Sequence, residues 1–423
     1  SYEDFVSSLW LRVLMKSLGS LWHSRNVSAN AFHRRSRPSR RCYRGRVNRA
    51  ELVELLSPEG LRLLDALPEW DSSADIVRTV AELRKQGHSP TLVAAVLSQA
   101  RLRQRARAKF GEFADRMLFT EAGLEQATRL KVAALHAGRF ARAGIGHVAD
   151  LGCGIGGDAL AMAAVDLEVT AAEADEVTAA IAAYNLTPFP RARVLHSRAE
   201  EVPLAGIGGA WLDPARRTTA GGRTTRLADP GAYSPSLDFA FGLADRLAVG
   251  VKLGPGTDRG VIPDGAEAQW VSIDGDLVEL GVWFGPLARP GVGRAALVIR
   301  GDHAAELTAP GDTEDAPTGP LGDYLYEPDG SVIRARLIGD FARANGGWML
   351  SDGIAYVTAD RAVDSPFARG FRVLERLPND ERQLRQALAQ RGVGTLEIKK
   401  RGVDLDPASL RTRLKLRGDA AAT

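Results

Sequence analysis

The segment VADLGCGIGGDAL, residues 148–160, constrains this chain most, because a short apolar strand ends in Asp150 and breaks at once into a glycine-dense turn. Glycine lets the backbone turn sharply and approach a ligand without a side-chain collision. The alanine-rich run that follows predicts a helix whose N-terminus faces that ligand. The segment is therefore typical of a nucleotide-binding turn at the end of a strand.

The glycines alone leave two kinds of ligand open. Gly152, Gly154 and Gly157 satisfy the G-x-G-x-x-G pattern of dinucleotide-binding proteins, and methyl-transfer enzymes use a similar turn. Asp150 favours the second class, because a carboxylate beside a pyrophosphate would bring two anions together. The same carboxylate suits the cationic amino group of S-adenosylmethionine. We therefore predict a methyl-donor site, with a nicotinamide-dinucleotide-binding protein as the alternative.

Alternating strands and helices in the middle of the chain predict an α/β core, with a mostly parallel sheet and helices on both faces. The strand at 167–172 ends at Glu173, about twenty residues past the turn, where an acid can accept hydrogen bonds from both ribose hydroxyls. A further strand, 193–196, leads into a loop that would pass the adenine ring. That loop contains Glu200.

The stretch GAWLDPARRTT carries the second strong signal. Its apolar residues predict a buried strand that stops at Asp213, so the next residues lie at the carboxyl end of the sheet, where open parallel sheets bind ligands. Asp213 would orient an acceptor amine or relay its proton, and Pro214 fixes the local backbone. Asp213, Pro214 and Arg216 are therefore the candidate catalytic residues.

Composition limits the classes of protein. With 423 residues, 45% of them hydrophobic and 25% charged, the chain predicts two or three globular domains. The two cysteines, Cys42 and Cys153, are too far apart in sequence to suggest a disulfide framework or a zinc site, so we expect no metal and a reducing, cytoplasmic location. No apolar run approaches the roughly 20 residues that span a bilayer.

The net charge of +3 hides a basic N-terminal region. Residues 1–50 contain eleven Lys or Arg, with Glu3 and Asp4 as their only acids. An arm that binds nucleic-acid phosphates and an organelle transit peptide are both open. The unpatterned composition favours a disordered leader over residues 1–46.

A helical module is predicted at residues 47–115. Ser57 and Ser89, each followed by proline, have the pattern of N-caps. Near the end of the third helix Arg101, Arg105 and Lys109 share one side at 100° per residue. This side is either a solvated charged face or a contact for a phosphate backbone.

The chain changes character after the predicted core at 116–301. Residues 302–322 are rich in Asp, Pro, Gly, Ala and Thr and predict a flexible linker, so that 302–342 is assigned as linker and hairpin. A small α/β domain is predicted at 343–423, with helices starting near Asp380 and Asp406. Its cluster Lys399, Lys400 and Arg401 is either a solvated face or an RNA contact.

The ordered set DLGCGIGGD, Glu173, LDPARR and VKLGPG resembles class I S-adenosylmethionine-dependent methyltransferases. The stretches FTEAGLEQATR, YLYEPDGSVIRA and LEIKKRGVDLDPASLRTRLKLRG extend the resemblance to bacterial RNA methyltransferases with a C-terminal THUMP-like domain. It covers roughly Val47 to the end. The resemblance implies a Rossmann-like core that binds S-adenosylmethionine, with RNA as partner.

From the resemblance, Asp150, Gly152 and Gly154 would hold the methionine part of the cofactor and Glu173 the ribose. The full set of expected cofactor-binding residues is Asp150, Gly152, Cys153, Gly154, Gly156, Asp158, Glu173, Ala174 and Glu200. Two positions depart from the common pattern. Arg198 stands where many such enzymes have an adenine-contacting acid, which leaves Glu200 for that contact, and Ala215 replaces the second proline of the Asp-Pro-Pro form.

Cysteine usage narrows the expected chemistry. Methylation at carbon five of a pyrimidine needs a thiolate that attacks the ring, and neither Cys42 nor Cys153 is placed for this. Transfer to a nitrogen of a nucleotide in tRNA or rRNA is therefore expected, since a nitrogen lone pair needs only orientation, proximity and proton removal. A small-molecule methyltransferase is the alternative. A small-molecule methyltransferase would give the basic segments no function.

Overall fold

The computed structural model describes residues 49–68, 73–216 and 233–423. The predicted leader lies outside these residues. So do Asp71 and Ser72, either of which has the sequence pattern of a helix N-cap. The chain forms two compact units. The first extends to Glu267 and also contains Leu280–Pro290, and the second contains Ala268–Glu279 and Gly291–Thr423.

Helices and strands alternate through the first unit, as predicted for an α/β protein. In the described residues the helices, numbered α1 to α13, are Arg49–Leu55, Pro58–Asp65, Ser73–Lys85, Pro90–Phe110, Glu121–Gln126, Leu130–Arg142, Gly157–Ala164, Glu176–Leu186, Leu237–Gly242, Gly330–Arg334, Ile338–Ala344, Glu381–Gln390 and Pro407–Leu414.

The strands are numbered in the same way. Strands β1 to β9 are His147–Leu151, Glu168–Glu173, Ala192–His196, Gly209–Leu212, Ala215–Arg216, Tyr233–Ser234, Ala248–Leu253, Glu267–Ile273 and Asp276–Trp283. Strands β10 to β17 are Arg294–Arg300, His303–Ala309, Tyr324–Pro328, Trp348–Met349, Val357–Ala359, Ala368–Arg372, Val393–Leu396 and Ala420–Ala422.

The N-terminal helices begin where the serine–proline pairs predict. The Ser57 side chain accepts a hydrogen bond from the Gly60 backbone N–H at the start of α2, and Ser89 accepts one from Leu92 at the start of α4. Proline occupies the first position of each helix, where its missing N–H costs nothing. The apolar face of α4 joins the core of the first unit through residues that include Val96, Leu102 and Phe110.

Five strands of the first unit are parallel neighbours in the order β7, β4, β1, β2, β3. The Leu280–Trp283 part of β9 pairs antiparallel with β7. From β1 the chain builds outward to β2 and β3 on one side, and it later adds β4 and β7 on the other. Ligands of open α/β sheets bind at such a reversal of strand order, outside the carboxyl ends of the strands.

Two tryptophans stack across a glycine in this sheet. Gly250 of β7 lies in register between Trp211 of β4 and Trp283 of β9, and the two indole rings stack with their centroids 5.3 Å apart. A Cβ atom at Gly250 would come within 2.6 Å of the Trp283 ring and 2.7 Å of the Trp211 ring. The buried His136 ring of α6 packs 4.1 Å from Trp211 between ring centroids.

The second unit contains a strand where the sequence predicts a linker. Strand β11 pairs antiparallel with β10 along its whole length, from Arg294 opposite Ala309 to Arg300 opposite His303. The prediction of a flexible linker from residue 302 is therefore wrong over β11. The proline- and glycine-rich composition on which it rested begins only at Pro310, after the strand. The other predicted domain boundaries stay predictions.

Turns and helix caps of the second unit follow local sequence signals. Strands β8 and β9 are joined by Asp274 and Gly275, which both have positive φ, at 52° and 90°. Strands β13, β14, β12 and β15 form a sheet in that order. Asp380 and Asp406 cap α12 and α13, which pack with β16 around Leu388, Val393 and Leu414.

A buried carboxylate holds distant parts of the first unit together. Glu267 is fully buried and accepts hydrogen bonds from Arg139 and from the backbone and guanidinium of Arg289, the latter at 2.6 Å. Arg139 also lies over the Trp283 ring at 4.4 Å and donates to the Leu287 carbonyl. Burial raises the pKa of Glu267, but the two arginines outweigh it and hold this pKa below its ordinary value.

We predict that Glu267→Gln lowers the free energy of unfolding by about 3–5 kcal/mol, because it leaves the buried Arg139 without its counter-charge. Urea denaturation at pH 7 measures the loss. Asp115→Asn, which breaks the half-exposed pair with Arg107, serves as the control and should cost at most about 1 kcal/mol. Equal losses in the two variants would contradict a special role for the buried carboxylate.

Candidate active site

Strand register brings the predicted site residues to one edge of the sheet. Leu151 of β1 lies opposite Ala172 of β2 and Leu212 of β4, and Leu212 lies opposite Val251 of β7. In each strand the residue that follows this position lies at the edge of the sheet. These residues are Gly152 after Leu151, Glu173 after Ala172, Asp213 after Leu212 and Lys252 after Val251. Parallel strands therefore deliver a glycine turn, two carboxylates and an ammonium group to the same carboxyl-end edge.

The glycine turn is held against the end of β2. The backbone N–H groups of Gly152 and Cys153 both donate to the Ala172 carbonyl at 2.9 Å, and the Gly154 N–H donates to Glu173 Oε2 at 3.1 Å. Gly152 and Gly154 have φ of 95° and 55°, a region that side chains disfavour. These two glycines are therefore required by the shape of the turn.

The glycine turn leaves space for a ligand, and a buried acid, Asp150, lies next to it in the chain. A Cβ atom built at Gly152 or Gly154 meets no described atom within 4 Å. Asp150 is 1% exposed, and its Oδ2 atom has no hydrogen-bond partner among the described residues. Burial, together with the nearby Asp158 and Asp213, raises the pKa of Asp150 well above its ordinary value. A cationic ligand group would relieve this cost, so the turn fits the methionine part of S-adenosylmethionine.

Three other predicted cofactor residues, Cys153, Gly156 and Asp158, lie in the glycine turn or at the start of α7. Asp158 in the first turn of α7 is buried, and its two oxygens accept hydrogen bonds from Thr128 and His136. Gly156, with φ of 84°, is the N-cap of α7, and an added Cβ there would lie 3.6 Å from Ala182. Burial raises the pKa of the Cys153 thiol well above its ordinary value. These contacts assign Asp158 and Gly156 to the support of the turn.

Glu173 combines two tasks at the end of β2. Its carboxylate accepts the Gly154 N–H with one oxygen and the Asp175 N–H, at 2.9 Å, with the other. Each oxygen keeps a lone pair for a ribose hydroxyl. The exposed Ala174 follows, and its carbonyl accepts from His196. Glu200 lies in a single helical turn, 199–201, after β3 and contacts Arg198 at 3.4 Å.

Asp213 and its neighbours lie at the carboxyl end of β4, where the sequence predicts the methyl acceptor. The Asp213 side chain is 35% exposed, and its Oδ2 accepts from the Lys252 ammonium group at 2.6 Å. Lys252 also donates to the Thr128 hydroxyl at 3.0 Å. Pro214 is buried, and the backbone continues into β5, where Arg216 pairs with Tyr233 of β6. Asp213 therefore combines a fixed carboxylate with access to solvent.

Three residues of this network were not predicted from the sequence as site residues: Thr128, His136 and Lys252. Thr128 stands in FTEAGLEQATR and Lys252 in VKLGPG, two segments that carry the family resemblance. That resemblance was the only signal for them. No local sequence pattern predicts a hydrogen bond between Lys252 and Thr128, which are 124 residues apart.

The three cations of the predicted basic face of α4 lie in different environments. Lys109 donates three hydrogen bonds to the carbonyls of Leu124, Glu125 and Ala127 at 2.7–2.8 Å, so it caps the end of α5. Arg105 contacts Glu121 at 3.2 Å. Arg101 is exposed and makes no ion pair with a described residue. All three protons of the Lys109 ammonium group are therefore bound by backbone carbonyls, so this residue has a structural role.

The C-terminal cations lie beside acidic residues in the second unit. Lys399 contacts Glu327 at 2.9 Å and Glu397 at 3.0 Å, and Arg401 contacts Glu327 at 3.3 Å. Lys400 is exposed. These acids hold the cations in place but reduce the positive charge that the group presents.

Comparison with known proteins identifies the chemistry of this site. Two proteins of Mycobacterium tuberculosis, from strains CDC 1551 / Oshkosh and ATCC 25618 / H37Rv, are each 35% identical over 345 residues, which is 78% of this chain and 90% of the relative. Both are named as uncharacterized S-adenosylmethionine-dependent methyltransferases. The chain belongs to this family. Its cofactor is S-adenosylmethionine, as Asp150 predicted, and the nicotinamide alternative is not supported.

Comparisons of structure and of domain models agree with this family. The crystal structure of a proposed methyltransferase from Porphyromonas gingivalis W83 shares the fold, with a TM-score of 0.64 and 20% identity over 83% of this chain and 94% of the other. A THUMP domain-like model matches residues 368–423 of this methyltransferase, and a model for a domain of unknown function matches residues 48–106.

Within residues 49–68, 73–216 and 233–423, no group of three or more His, Cys, Asp or Glu side chains is arranged to hold a metal ion. In the same part of the chain, no helix is both long and apolar enough to cross a membrane.

We predict that Glu173→Gln weakens binding of S-adenosylmethionine at least tenfold, about 1.4 kcal/mol, because an amide nitrogen replaces one accepting oxygen. Isothermal titration calorimetry measures the dissociation constant. Glu168→Gln, at the opposite end of β2, is the matched control and should change affinity less than twofold. Unchanged affinity in the Glu173 variant would remove this carboxylate from the cofactor site.

Proposed function

We propose that this methyltransferase transfers the methyl group to a nitrogen of a nucleotide in structured RNA, tRNA or rRNA. The observation that carries the proposal is the THUMP domain-like segment, residues 368–423, on the same chain as the methyl-transfer site. The family that the sequence resembles joins these two parts in RNA methyltransferases. A small-molecule methyltransferase would leave the segment without a task.

Charge distribution supports an RNA partner. The THUMP domain-like segment contains thirteen Lys or Arg and seven Asp or Glu, a net charge of +6, although the whole chain has only +3. Positive charge concentrated in one small domain attracts a phosphate backbone and releases its counterions. The exposed Arg101 on α4, with Arg105 beside it, belongs to the same proposal. We leave Lys109 out of it, because its three protons are bound by backbone carbonyls.

One surface of the second unit combines cations with an aromatic ring. We call it the cation–aromatic patch and define it as Arg369, Phe371, Lys399 and Arg401; the exposed Lys400 lies between the last two in sequence. The Arg369 guanidinium lies 5.0 Å from the centre of the half-buried Phe371 ring, and the Lys399 ammonium lies 6.0 Å from it. Unpaired RNA bases stack on aromatic rings and guanidinium planes, while phosphates meet ammonium groups. The patch therefore offers both kinds of contact.

The residues at the transfer site favour nitrogen as the acceptor atom. Bound S-adenosylmethionine supplies an electrophilic methyl group. Asp213 can orient a nitrogen and accept its proton, and Pro214 and Arg216 continue the backbone at that edge. Cys153 lies in the glycine turn with a raised thiol pKa, and Cys42 lies outside the described residues. A thiolate for attack on carbon five of a pyrimidine is therefore not supplied by Cys153.

Deletion of the gene should remove one N-methylated nucleoside from tRNA or rRNA. Quantitative nucleoside mass spectrometry on the two RNA fractions, with and without the gene, measures the loss. Restoring the wild-type gene should bring the nucleoside back, whereas a gene encoding Asp213→Asn should not. Loss of a 5-methylpyrimidine would contradict the nitrogen assignment, and unchanged RNA with a missing methylated metabolite would favour the small-molecule alternative.

The cation–aromatic patch generates a separate prediction about salt dependence. Lys400→Ala should weaken binding to bulk tRNA from the deletion strain and lower the slope of log affinity against log salt by about 0.7–0.9, one phosphate contact. Filter binding between 50 and 300 mM KCl measures both quantities. Lys85→Ala, at the exposed end of α3, is the control and should leave the slope unchanged. Equal slopes in all three proteins would exclude Lys400 from the interface.

A further inference from the structure

A chain of hydrogen bonds crosses the first unit behind the transfer site. It runs from His136 on α6 through Asp158 on α7, Thr128 and Lys252 on β7 to Asp213 after β4. The four contacts measure 2.7, 2.8, 3.0 and 2.6 Å in that order. Every member of this hydrogen-bond network except Asp213 is largely buried. The network therefore ends at Asp213, whose carboxylate has access to solvent.

The direction of each hydrogen bond in this chain is fixed by chemistry. A lysine ammonium group only donates, so the Thr128 hydroxyl accepts from Lys252 and must give its own proton to Asp158. Burial raises the pKa of Asp158, but His136, Lys252 and Thr128 outweigh it and hold this pKa below its ordinary value. Asp158 is therefore a carboxylate that accepts from both sides, and His136 donates through Nδ1. The ammonium group of Lys252 is held in one place as a result.

Lys252 is the cation shared by several carboxyl groups. It contacts Asp213 directly and also favours the charged forms of Asp150 and Asp158. Burial, and after it the positive charge of Lys252, lower the pKa of Lys109 on α4. The Lys252 side chain is only 13% exposed, so water screens its effect on Asp213 weakly.

We propose that Lys252 is a positioning residue for methyl transfer, which holds the Asp213 carboxylate ionised and in one orientation at the acceptor edge. This inference rests on the proposed role of Asp213. The acceptor nitrogen forms the new N–C bond with its lone pair, the electrons of the broken C–S bond stay on sulfur, and the nitrogen's proton passes to Asp213 and then to water. Lys252 keeps its protons throughout.

The test compares Lys252→Met and Lys252→Arg with the wild-type enzyme and with Lys85→Met as the control. S-adenosylhomocysteine formation gives kcat and KM as functions of pH, with RNA from the deletion strain as acceptor. Calorimetry gives the affinity for S-adenosylmethionine and shows that each variant is folded. We expect Lys252→Met to lower kcat about 100-fold, as for loss of an oriented base, while affinity for the methyl donor changes less than fivefold.

The pH profile separates positioning from a structural role. Lys252→Met removes the cation that contacts Asp213 at 2.6 Å, so the acidic limb of the kcat profile should move to higher pH in this variant. Lys252→Arg keeps the charge and should return the limb towards its wild-type position. Thr128→Val removes the partner of Lys252 without removing a charge and should lower kcat about tenfold with a smaller shift.

Two results would overturn the inference. One is a Lys252→Met enzyme with wild-type kcat, and the other is a Lys252→Met enzyme with a lower kcat and an acidic limb that has not moved. The proposed function is judged separately, by whether the wild-type enzyme forms S-adenosylhomocysteine with the RNA or with the small-molecule fraction of the same cells. The Lys252 comparison is then made with the fraction that wild type uses.

Discussion

The hydrogen bonds that bind the glycine turn to the end of β2 position the rest of the site. Because Gly152 and Cys153 share the Ala172 carbonyl and Gly154 donates to Glu173, the turn is tied to the strand that carries Glu173, the acid predicted to bind the ribose. The parallel register then places Asp213 and Lys252 at the same level. The contacts of one turn and the register of the strands thereby fix the spacing between the glycine turn, Asp213 and Lys252.

Local sequence signals predicted much of this fold because they depend on neighbouring residues only. The side chains of Ser57, Ser89, Asp380 and Asp406 each accept a hydrogen bond from the backbone N–H three positions further on. The glycine turn likewise depends on its own backbone angles. Such features follow from propensity and hydrogen-bond geometry, so a sequence contains them directly.

Features that depend on tertiary contacts could not be predicted in this way. Lys109 has the spacing of an exposed basic face, but the carbonyls that bind it belong to α5, at least 15 residues away. Strand β11 is half polar, and it is ordered by pairing with β10 and not by its composition. Thr128 became a site residue only because folding brings it to Lys252. In each case the deciding partner is distant in sequence.

The glycine between two stacked tryptophans has a consequence for sequence variation. Glycine inside a strand costs about 0.5–1 kcal/mol relative to alanine, so substitution by alanine would ordinarily stabilise a sheet. At Gly250 the two indole rings occupy the space of a Cβ atom, and one of them also supports His136. A larger residue at position 250 would need a smaller one at Trp211 or Trp283. Positions 211, 250 and 283 are therefore expected to change together among relatives.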